Sequence, residues 1–261
     1  MQETSYELVE GDVCQTIQKY PQKFQLIIAD PPFGIEYSKG SHYSGLAGST
    51  LYEDQFNRND YIQFSHQWIS ACEQALTDNG SLYIIIAWNR LHEIFDALEL
   101  IPNLTMINHI IWGFPFGIFC KKMYVTSHYH ILFLVKNSQH YTFNRIHKTS
   151  IKGEPYEEDL WNWHDNYRAK SKLMPEQYPE GHPCQLPPYL IDHILSISSN
   201  PNDWVGDVFA GSGTTTLECR KMQRNVVAFE KNPDYIPIIR KKARFGENIE
   251  VKKDSLLTYF K

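Results

Sequence analysis

The chain has 261 residues, of which 42% are hydrophobic and 21% are charged, and this suits one large domain or a domain with an insertion. The formal net charge of −5 excludes a globally basic nucleic-acid binder but leaves room for a local basic groove. The five cysteines are scattered without a C-x-x-C pair, and no secretory signal or membrane-spanning run is present. We therefore expect a cytoplasmic protein with reduced thiols, without a disulfide framework and without a metal site.

Strand and helix patterns alternate along the first half of the chain. Short apolar runs predict strands, and helical periodicity lies between them, with Asp78–Gly80 expected to end the first long helix. Continuous apolar strands are typical of a parallel sheet that is buried on both faces. The order predicts an α/β fold with a doubly wound, mostly parallel, Rossmann-like sheet. The predicted strands are Phe24–Ala29, Ser81–Ala87, Met106–Trp112 and Tyr129–Lys136, and the predicted helices are Asp60–Leu76 and Leu91–Leu100.

A stiff turn follows the strand at Phe24–Ala29, with the sequence Asp30-Pro31-Pro32-Phe33. Ligands of open α/β sheets bind at the carboxyl ends of the strands. Because both prolines have a fixed φ, the turn is rigid and the residue before each proline is extended. The turn therefore presents a carboxylate, a carbonyl oxygen and an aromatic ring to one cleft. The alternative interpretation is a turn that only closes the strand.

Two segments lack apolar periodicity. Residues 34–54 are rich in Gly, Ser and Tyr, which predicts either a functional loop or a disordered excursion. From residue 137 to residue 182 aromatic and basic side chains interleave, which suits a nucleic-acid surface, although acidic neighbours also allow an ordinary polar insertion.

A Gly-rich turn between a predicted strand and a predicted helix forms a second constellation. Glycines let the backbone approach a ligand, and a helix N-terminus offers free N–H groups. Glu230 follows the next strand at about the 20-residue spacing at which a Rossmann-like unit places its ribose-binding acid. These features predict a pocket for a nucleoside-bearing cofactor, the alternative being an incidental acid beside a structural turn. The turn consists of Phe209, Ala210, Gly211, Ser212, Gly213, Thr214 and Thr215.

The segment His182-Pro183-Cys184-Gln185 leads toward this turn and could cover the other side of the same pocket. Its Pro-Cys dipeptide raises the alternative of a thiolate nucleophile, as in the cytosine-C5 methyltransferases. Those enzymes place Pro-Cys after the Gly-rich turn and carry a Glu-Asn-Val motif. Here the order is reversed and that motif is absent.

With both constellations in hand, the chain resembles the β-class (permuted) S-adenosylmethionine-dependent DNA amino-methyltransferases. Asp30–Phe33 matches the catalytic motif, Phe209–Thr215 the cofactor loop, and Glu230 the ribose-binding acid. The resemblance implies cofactor contacts from Asp12, Val13, Asp30 and Lys231, and from His182, Pro183 and Gln185. It departs from the family at Gly206-Asp207-Val208, where Leu-Asp-Pro is common, and at Tyr129-His130, where His-Glu is common.

The resemblance implies a circularly permuted class I methyltransferase fold in three parts. Residues 1–136 would form the catalytic half, residues 137–181 a target-recognition insertion, and residues 182–261 the half that binds S-adenosylmethionine. It implies double-stranded DNA as a partner and allows a homodimer and a cognate restriction endonuclease.

The implied reaction is methylation of an exocyclic base amine, without a metal. Asp30 and the Pro31 carbonyl would accept from the amine of a flipped base that stacks on Phe33. The resemblance favours N6 of adenine, because Asp opens the motif mostly in adenine enzymes. Cytosine N4 and a catalytically idle recognition subunit remain the alternatives. Phosphate contacts are expected from residues 136–172 and from the helix that carries Arg240, Lys241, Lys242 and Arg244.

Overall fold

A computed structural model describes residues 4–33, 56–114, 121–146, 148–162 and 185–248. The strands are β1 (Tyr6–Glu10), β2 (Phe24–Ala29), β3 (Leu76–Ile86), β4 (Thr105–Gly113), β5 (His128–Val135), β6 (Lys148–Thr149), β7 (Pro155–Tyr156), β8 (Leu160–Asn162), β9 (Trp204–Asp207) and β10 (Asn225–Glu230). The α-helices are α1 (Val13–Thr16), α2 (Arg58–Ala75), α3 (Leu91–Leu98), α4 (Pro188–Ser198), α5 (Thr214–Lys221) and α6 (Ile236–Lys242).

Within the described residues, the main sheet has eight strands in the order β1-β10-β9-β2-β3-β5-β4-β8. Strand β5 runs antiparallel to both β3 and β4, and the other pairings are parallel. The predicted α/β fold with a mostly parallel sheet is therefore confirmed. Strand β8 comes from the segment expected to recognise DNA, and it pairs with β4 at the edge of the sheet. Its role in recognition stays a prediction.

Both faces of the sheet are covered because the central strands are apolar on both sides. In β2, Ile27 and Ala29 join a core that includes residues of α2, while Leu26 and Ile28 join a core that includes residues of α4. Burial of large side chains such as Trp68 on α2 contributes about 1.5–3 kcal/mol each. Among the described helices, none is both long and apolar enough to cross a membrane.

The prediction that Asp78–Gly80 ends the first long helix is wrong. Helix α2 ends at Ala75, and Leu76 is already extended as the first residue of β3. The register between β2 and β3 shifts after the Leu76 pair, so residues 77–80 form an irregular part of the strand. A Cβ on Gly80 would lie 2.9 Å from the Leu76 side chain and 3.0 Å from the carbonyl oxygen of Phe24. Gly80 thus serves a close approach inside the sheet, where the sequence suggested a turn.

Candidate active site

The polar ends of four neighbouring parallel strands form the candidate site. Strands β1, β10, β9 and β2 lie side by side and run in one direction. Their carboxyl ends carry Asp12, Glu230, Asp207 and Asp30, respectively. Carboxyl ends of parallel strands are where open α/β sheets bind ligands. The structure thus brings the two sequence constellations to one edge of the sheet.

The four residues of the turn after β2 differ in how deeply they are buried. Pro31 is buried, whereas Asp30, Pro32 and Phe33 are half-buried. The ring of Phe33 makes an edge contact with Tyr129, with ring centroids 5.3 Å apart. The Asp30 carboxylate and the Phe33 ring therefore lie at the same edge of the sheet, as the sequence predicted.

Burial and a second acid set the ionisation of Asp30. Burial raises the pKa of Asp30 to about 7, and the charge of Asp207 adds to that rise. Asp207 is 3% exposed and accepts hydrogen bonds from the Thr216 backbone N–H at 3.1 Å and the Thr216 hydroxyl at 2.7 Å. Burial raises the pKa of Asp207 to about 7 as well, although these hydrogen bonds oppose the rise. The sequence analysis noted residues 206–208 only as a departure from the family and did not predict this coupling.

The Gly-rich loop connects β9 to α5 through two left-handed glycines. Gly211 has φ +50 and Gly213 has φ +80, a region that favours glycine. A Cβ on Gly213 would lie 3.1 Å from a side-chain carbon of Ile239, so the loop also packs closely on α6. The ring of Phe209 packs against Trp68, with centroids 5.3 Å apart. Helix α5 begins at Thr214, so its N-terminus lies at the end of the loop, as the sequence predicted.

Glu230 is directly joined to the loop. Its Oε2 accepts from the Gly211 N–H at 2.8 Å, and its Oε1 accepts from the Asn232 N–H at 2.8 Å. Burial raises the pKa of Glu230, and these backbone hydrogen bonds oppose the rise. A carboxylate oxygen has two lone pairs, so each oxygen keeps acceptor capacity for a hydroxyl of a ligand.

Asp12 and Lys231 contact each other beside Glu230. Asp12 accepts from the Cys14 N–H at 3.0 Å, which caps α1, and from Lys231 Nζ at 3.0 Å. Although burial acts to raise the pKa of Asp12, these hydrogen bonds lower it below its usual value. Val13 is buried at the start of α1, 5% exposed. The N–H of Gly11 donates to the Glu230 carbonyl oxygen at 2.8 Å, which fixes the two strand ends together.

Gln185 contacts the Gly-rich loop through Lys242, a residue that the sequence analysis assigned to DNA binding. Lys242 Nζ donates to Gln185 Oε1 at 2.5 Å, to Ser212 Oγ at 3.1 Å and to Thr214 Oγ1 at 2.6 Å. The expectation that Lys242 is a phosphate contact is therefore corrected, since its ammonium is already engaged with the loop. His182 and Pro183 lie outside the described residues.

Some of the basic residues expected to bind DNA already contact other groups of the protein. Lys136 donates to the carbonyl oxygens of Glu73 and Leu76, and Lys148 pairs with Glu158. Other basic side chains in the same set are exposed: Arg145, Lys152, Arg240, Lys241 and Arg244.

An aromatic and histidine cluster at the β4–β5 end of the site was not assigned by sequence. The ring of Tyr129 contacts Phe33, Phe114 and Trp112 at centroid distances of 5.3, 5.0 and 5.9 Å. On the other face of the same strands, His109 Nε2 and His130 Nδ1 are 2.7 Å apart. Alternation of Tyr129 and His130 along β5 is the signal that separates the two faces.

The cysteines offer no sign of a disulfide in the described residues. Cys14, Cys72 and Cys219 are free thiols, and burial raises the pKa of Cys14 to about 12. Cys184 lies outside the described residues. Over the part of the chain that the structure describes, no group of three His, Cys, Asp or Glu side chains is placed to hold a metal ion.

A family model described as DNA methylase matches residues 24–241. The chain belongs to the N6/N4 DNA methylase family. The match spans both the turn at Asp30 and the Gly-rich loop, so the two halves of the site lie within one family domain. This DNA methylase is also similar over most of its length to known relatives.

The Type II methyltransferase M.HpaI of Haemophilus parainfluenzae is 28% identical over 228 residues, which cover 83% of this chain and 67% of M.HpaI. The DNA adenine methyltransferase YhdJ of Escherichia coli (strain K12) is 28% identical over 251 residues, which cover 88% of this chain and 79% of YhdJ.

Two solved structures share the fold of this DNA methylase. The M1.HpyAVI–SAM complex has a TM-score of 0.62 and 24% identity, covering 91% of this chain and 98% of that one. The cytosine-N4-specific PvuII DNA methyltransferase has a TM-score of 0.68 and 16% identity, covering 99% of this chain and 92% of that one. These likenesses confirm the expected class I methyltransferase fold.

Proposed function

We propose that this DNA methylase transfers a methyl group from S-adenosylmethionine to the exocyclic N6 of adenine in double-stranded DNA. The observation that carries the proposal is the position of Asp30 and the Gly-rich loop at the ends of the neighbouring strands β2 and β9. Adenine is supported by the Asp that opens the catalytic turn. It is also supported by the relative from Escherichia coli, whose name describes a DNA adenine methyltransferase.

The loop and its surroundings fit S-adenosylmethionine. When bound, this cofactor supplies a methyl group on a positively charged sulfonium. Left-handed Gly211 and Gly213 keep the loop free of side chains that would block backbone approach. Glu230 would accept from the ribose hydroxyls with the lone pairs that Gly211 and Asn232 leave. The remaining proposed contacts are the backbone of residues 209–215 and the residues Asp12, Val13, Lys231, His182, Pro183 and Gln185.

In the proposed reaction Asp30 and Pro31 activate the amine of the target base. The amine is a poor nucleophile because its lone pair is delocalised into the ring. Acceptance of its two N–H bonds by the Asp30 carboxylate and the Pro31 carbonyl would localise that lone pair on nitrogen. The base must leave the duplex to reach this edge of the sheet, and Phe33 would stack on it there. Most of the rate gain would come from positioning and electrostatics.

The second candidate is methylation of cytosine N4. The chemistry of the acceptors fits it equally well, because both base amines carry two N–H donors and Asp30 and Pro31 suit either. A third possibility is a catalytically idle subunit that binds cofactor and supplies recognition to a partner.

One experiment separates these functions. The isolated protein is incubated with duplex DNA and isotopically labelled S-adenosylmethionine, and the DNA is digested to nucleosides for mass spectrometry. We expect labelled N6-methyl-2′-deoxyadenosine. N4-methyl-2′-deoxycytidine as the only labelled nucleoside would favour the second candidate, and the absence of label together with cofactor binding would favour the idle subunit.

The proposed partners are duplex DNA, a second copy of the chain, and a cognate restriction endonuclease. The names of Type II relatives support the first and the third. Sedimentation of the protein with and without a DNA duplex tests the homodimer.

A further inference from the structure

The guanidinium of Arg90 connects two backbone segments that are far apart in sequence. Its Nε donates to the Phe33 carbonyl oxygen at 3.0 Å, and its Nη2 donates to the Phe56 carbonyl oxygen at 3.1 Å. Phe33 is the last residue of the catalytic turn, and Phe56 leads into α2. One side chain therefore ties the two described residues that flank residues 34–55.

Tyr61 holds the preceding peptide group of the same turn. Its hydroxyl donates to the Pro32 carbonyl oxygen at 2.9 Å, and its side chain is fully buried. The Arg90 guanidinium lies 4.7 Å from the centre of the Tyr61 ring, and the Phe56 ring makes an edge contact with Tyr61 at 5.6 Å. Arg90 and Tyr61 thus hold successive carbonyl oxygens directly after Pro31.

The fold supplies a reason why Arg90 reaches this position. Strand β3 is the parallel neighbour of β2, and a short turn after β3 places Arg90 at the same edge of the sheet as Asp30. The Arg90 side chain is only 13% exposed, and Glu93, itself 10% exposed, compensates its charge at 3.3 Å. A largely buried ion pair is costly to assemble, so its arrangement around a catalytic turn suggests more than surface solubility.

Only a guanidinium suits this bridge. Its planar fork directs several N–H donors in fixed directions, so it can serve two carbonyl oxygens and a carboxylate at once. A lysine ammonium carries the same charge but has a single nitrogen. The bridge therefore depends on the shape of the side chain as well as on its charge.

We propose that Arg90 and Tyr61 are positioning residues for methyl transfer, which fix the peptide groups after Pro31 and, through Arg90, hold together the two backbone segments around residues 34–55. The proposal rests on the function assigned to Asp30 and Pro31 above. Neither side chain needs to touch the base or the cofactor. A displacement of about 1 Å in a catalytic group can cost on the order of 100-fold in rate. We call these two side chains, Arg90 and Tyr61, the clamp. The clamp therefore acts on the rate of methyl transfer.

The variants that test the clamp are Arg90→Lys, Arg90→Met and Tyr61→Phe. Arg58→Met is the matched control, because Arg58 pairs with Asp96 at 2.7 Å on the exposed surface of α2. Single-turnover methylation, the dissociation constant of S-adenosylmethionine and the melting temperature are measured for each protein. Hydrogen exchange is followed in the peptide of residues 56–68, with the peptide of residues 188–198 as an internal reference.

We expect Arg90→Lys and Arg90→Met to slow single-turnover methylation by about 10- to 100-fold, and Tyr61→Phe by several-fold. The dissociation constant of the cofactor should stay within about twofold of that of the unmodified chain, and the control should retain its full rate. Hydrogen exchange in residues 56–68 should become faster in Arg90→Met but not in the control Arg58→Met.

Two results would count against different claims. If the unmodified chain methylates DNA and both Arg90 variants match its rate, the clamp is overturned. If the unmodified chain itself transfers no methyl group to DNA, the proposed function fails instead. If the melting temperature falls only in the Arg90→Met variant, its rate reflects lost stability. The single-turnover rates of Arg90→Lys and Tyr61→Phe then decide whether the clamp exists.

Discussion

The ammonium of Lys242 lies 2.6 Å from the hydroxyl of Thr214, at the start of the helix that follows the Gly-rich loop. It also contacts Ser212 and Gln185, so it joins α6, the loop and the segment before α4. We expect Lys242→Met to weaken cofactor binding by about 1–3 kcal/mol, the usual cost of removing a charged hydrogen-bond donor from buried or half-buried partners. Calorimetric titration with S-adenosylmethionine measures this. The exposed neighbour supplies the control, since Lys241→Met should bind the cofactor normally.

The same contact predicts an alkaline limit. Burial lowers the pKa of Lys242 to about 8, so its ammonium loses a proton as the pH rises through about 8. The KM for the cofactor should therefore increase above that pH. In Lys242→Arg the guanidinium stays charged, so the KM should change less across the same range. Parallel pH dependences in the two proteins would exclude Lys242 as the titrating group, because the cofactor's own titration is common to both.

A second pH dependence follows from Asp30. Only the ionised carboxylate accepts fully from the base amine, and burial together with the charge of Asp207 raises the pKa of Asp30 to about 7. The single-turnover rate should therefore rise with pH through about 7. In Asp207→Asn the neighbouring charge is absent, so this limb should move to lower pH. Asp203→Asn, at the opposite end of β9, should leave it in place. A rate that is flat between pH 6 and pH 8 would be inconsistent with the assignment.

Asp30 and Glu230 should separate chemistry from cofactor binding. Asp30→Ala should abolish methylation and leave the cofactor affinity nearly intact. Glu230→Ala should weaken cofactor binding by about 1–3 kcal/mol, because a ribose hydroxyl would lose its acceptor. Since Glu230 also holds the N–H groups of Gly211 and Asn232, Glu230→Gln, which keeps one acceptor oxygen, should be milder. Wild-type turnover by Asp30→Ala would remove Asp30 from the catalytic role.

Local patterns predicted much of the fold because the relevant forces are local. The bounds of β2 follow from a run of six residues, all of them apolar and buried except the half-buried Gln25, which ends at a proline turn. Both the Asp30–Phe33 turn and the Gly-rich loop were predicted where they lie, because glycine, proline and acid spacings constrain the backbone directly. The expectation at Asp78–Gly80 failed because a turn-like tripeptide was overridden by pairing with β2.

Contacts between distant residues could not be predicted in this way. Nothing in the sequence near Arg90 indicates that it reaches both Phe33 and Phe56, since only the pairing of β2 with β3 brings them together. Lys242 looked like one of several basic residues on a surface helix. Its burial depends on the close packing of α6 against Gly213, which is a tertiary contact.

The exposed basic residues give a prediction for DNA binding. Arg145 and Lys152 are exposed in the segment between β5 and β8, whereas Lys148 is paired with Glu158. If each contacts a phosphate, Arg145→Glu and Lys152→Glu should each lower the slope of log K against log salt by about one unit. Fluorescence anisotropy over a salt series measures this. Lys19→Glu, at the opposite edge of the sheet from Asp30, should leave the slope unchanged, and unchanged slopes in all three would exclude the segment.

The pair formed by His109 and His130 predicts a loss of stability in acid. The 2.7 Å contact between their ring nitrogens requires one to donate and the other to accept, so both rings cannot be fully protonated while it persists. Burial, aided by the charges of His109 and His128, lowers the pKa of His130 to about 4. An unfolded histidine titrates near 6.5, so His130 stabilises the fold above that pH and this stabilisation is lost as the pH falls toward 4.

Measurement of this effect needs a difference, because Asp30 and Asp207 act in the opposite direction. Their raised pKa values mean that the folded state gains stability as the pH falls through about 7. We therefore compare the free energy of unfolding at pH 7 and pH 5 in the unmodified chain, in His130→Gln and in His140→Gln, an exposed histidine that serves as the control. From pH 7 to pH 5 the free energy of unfolding of the unmodified chain should fall by about 2 kcal/mol more than that of His130→Gln. The free energy of His140→Gln should fall by as much as that of the unmodified chain. Equal losses in all three proteins would show that the neutral state of His130 does not contribute to stability.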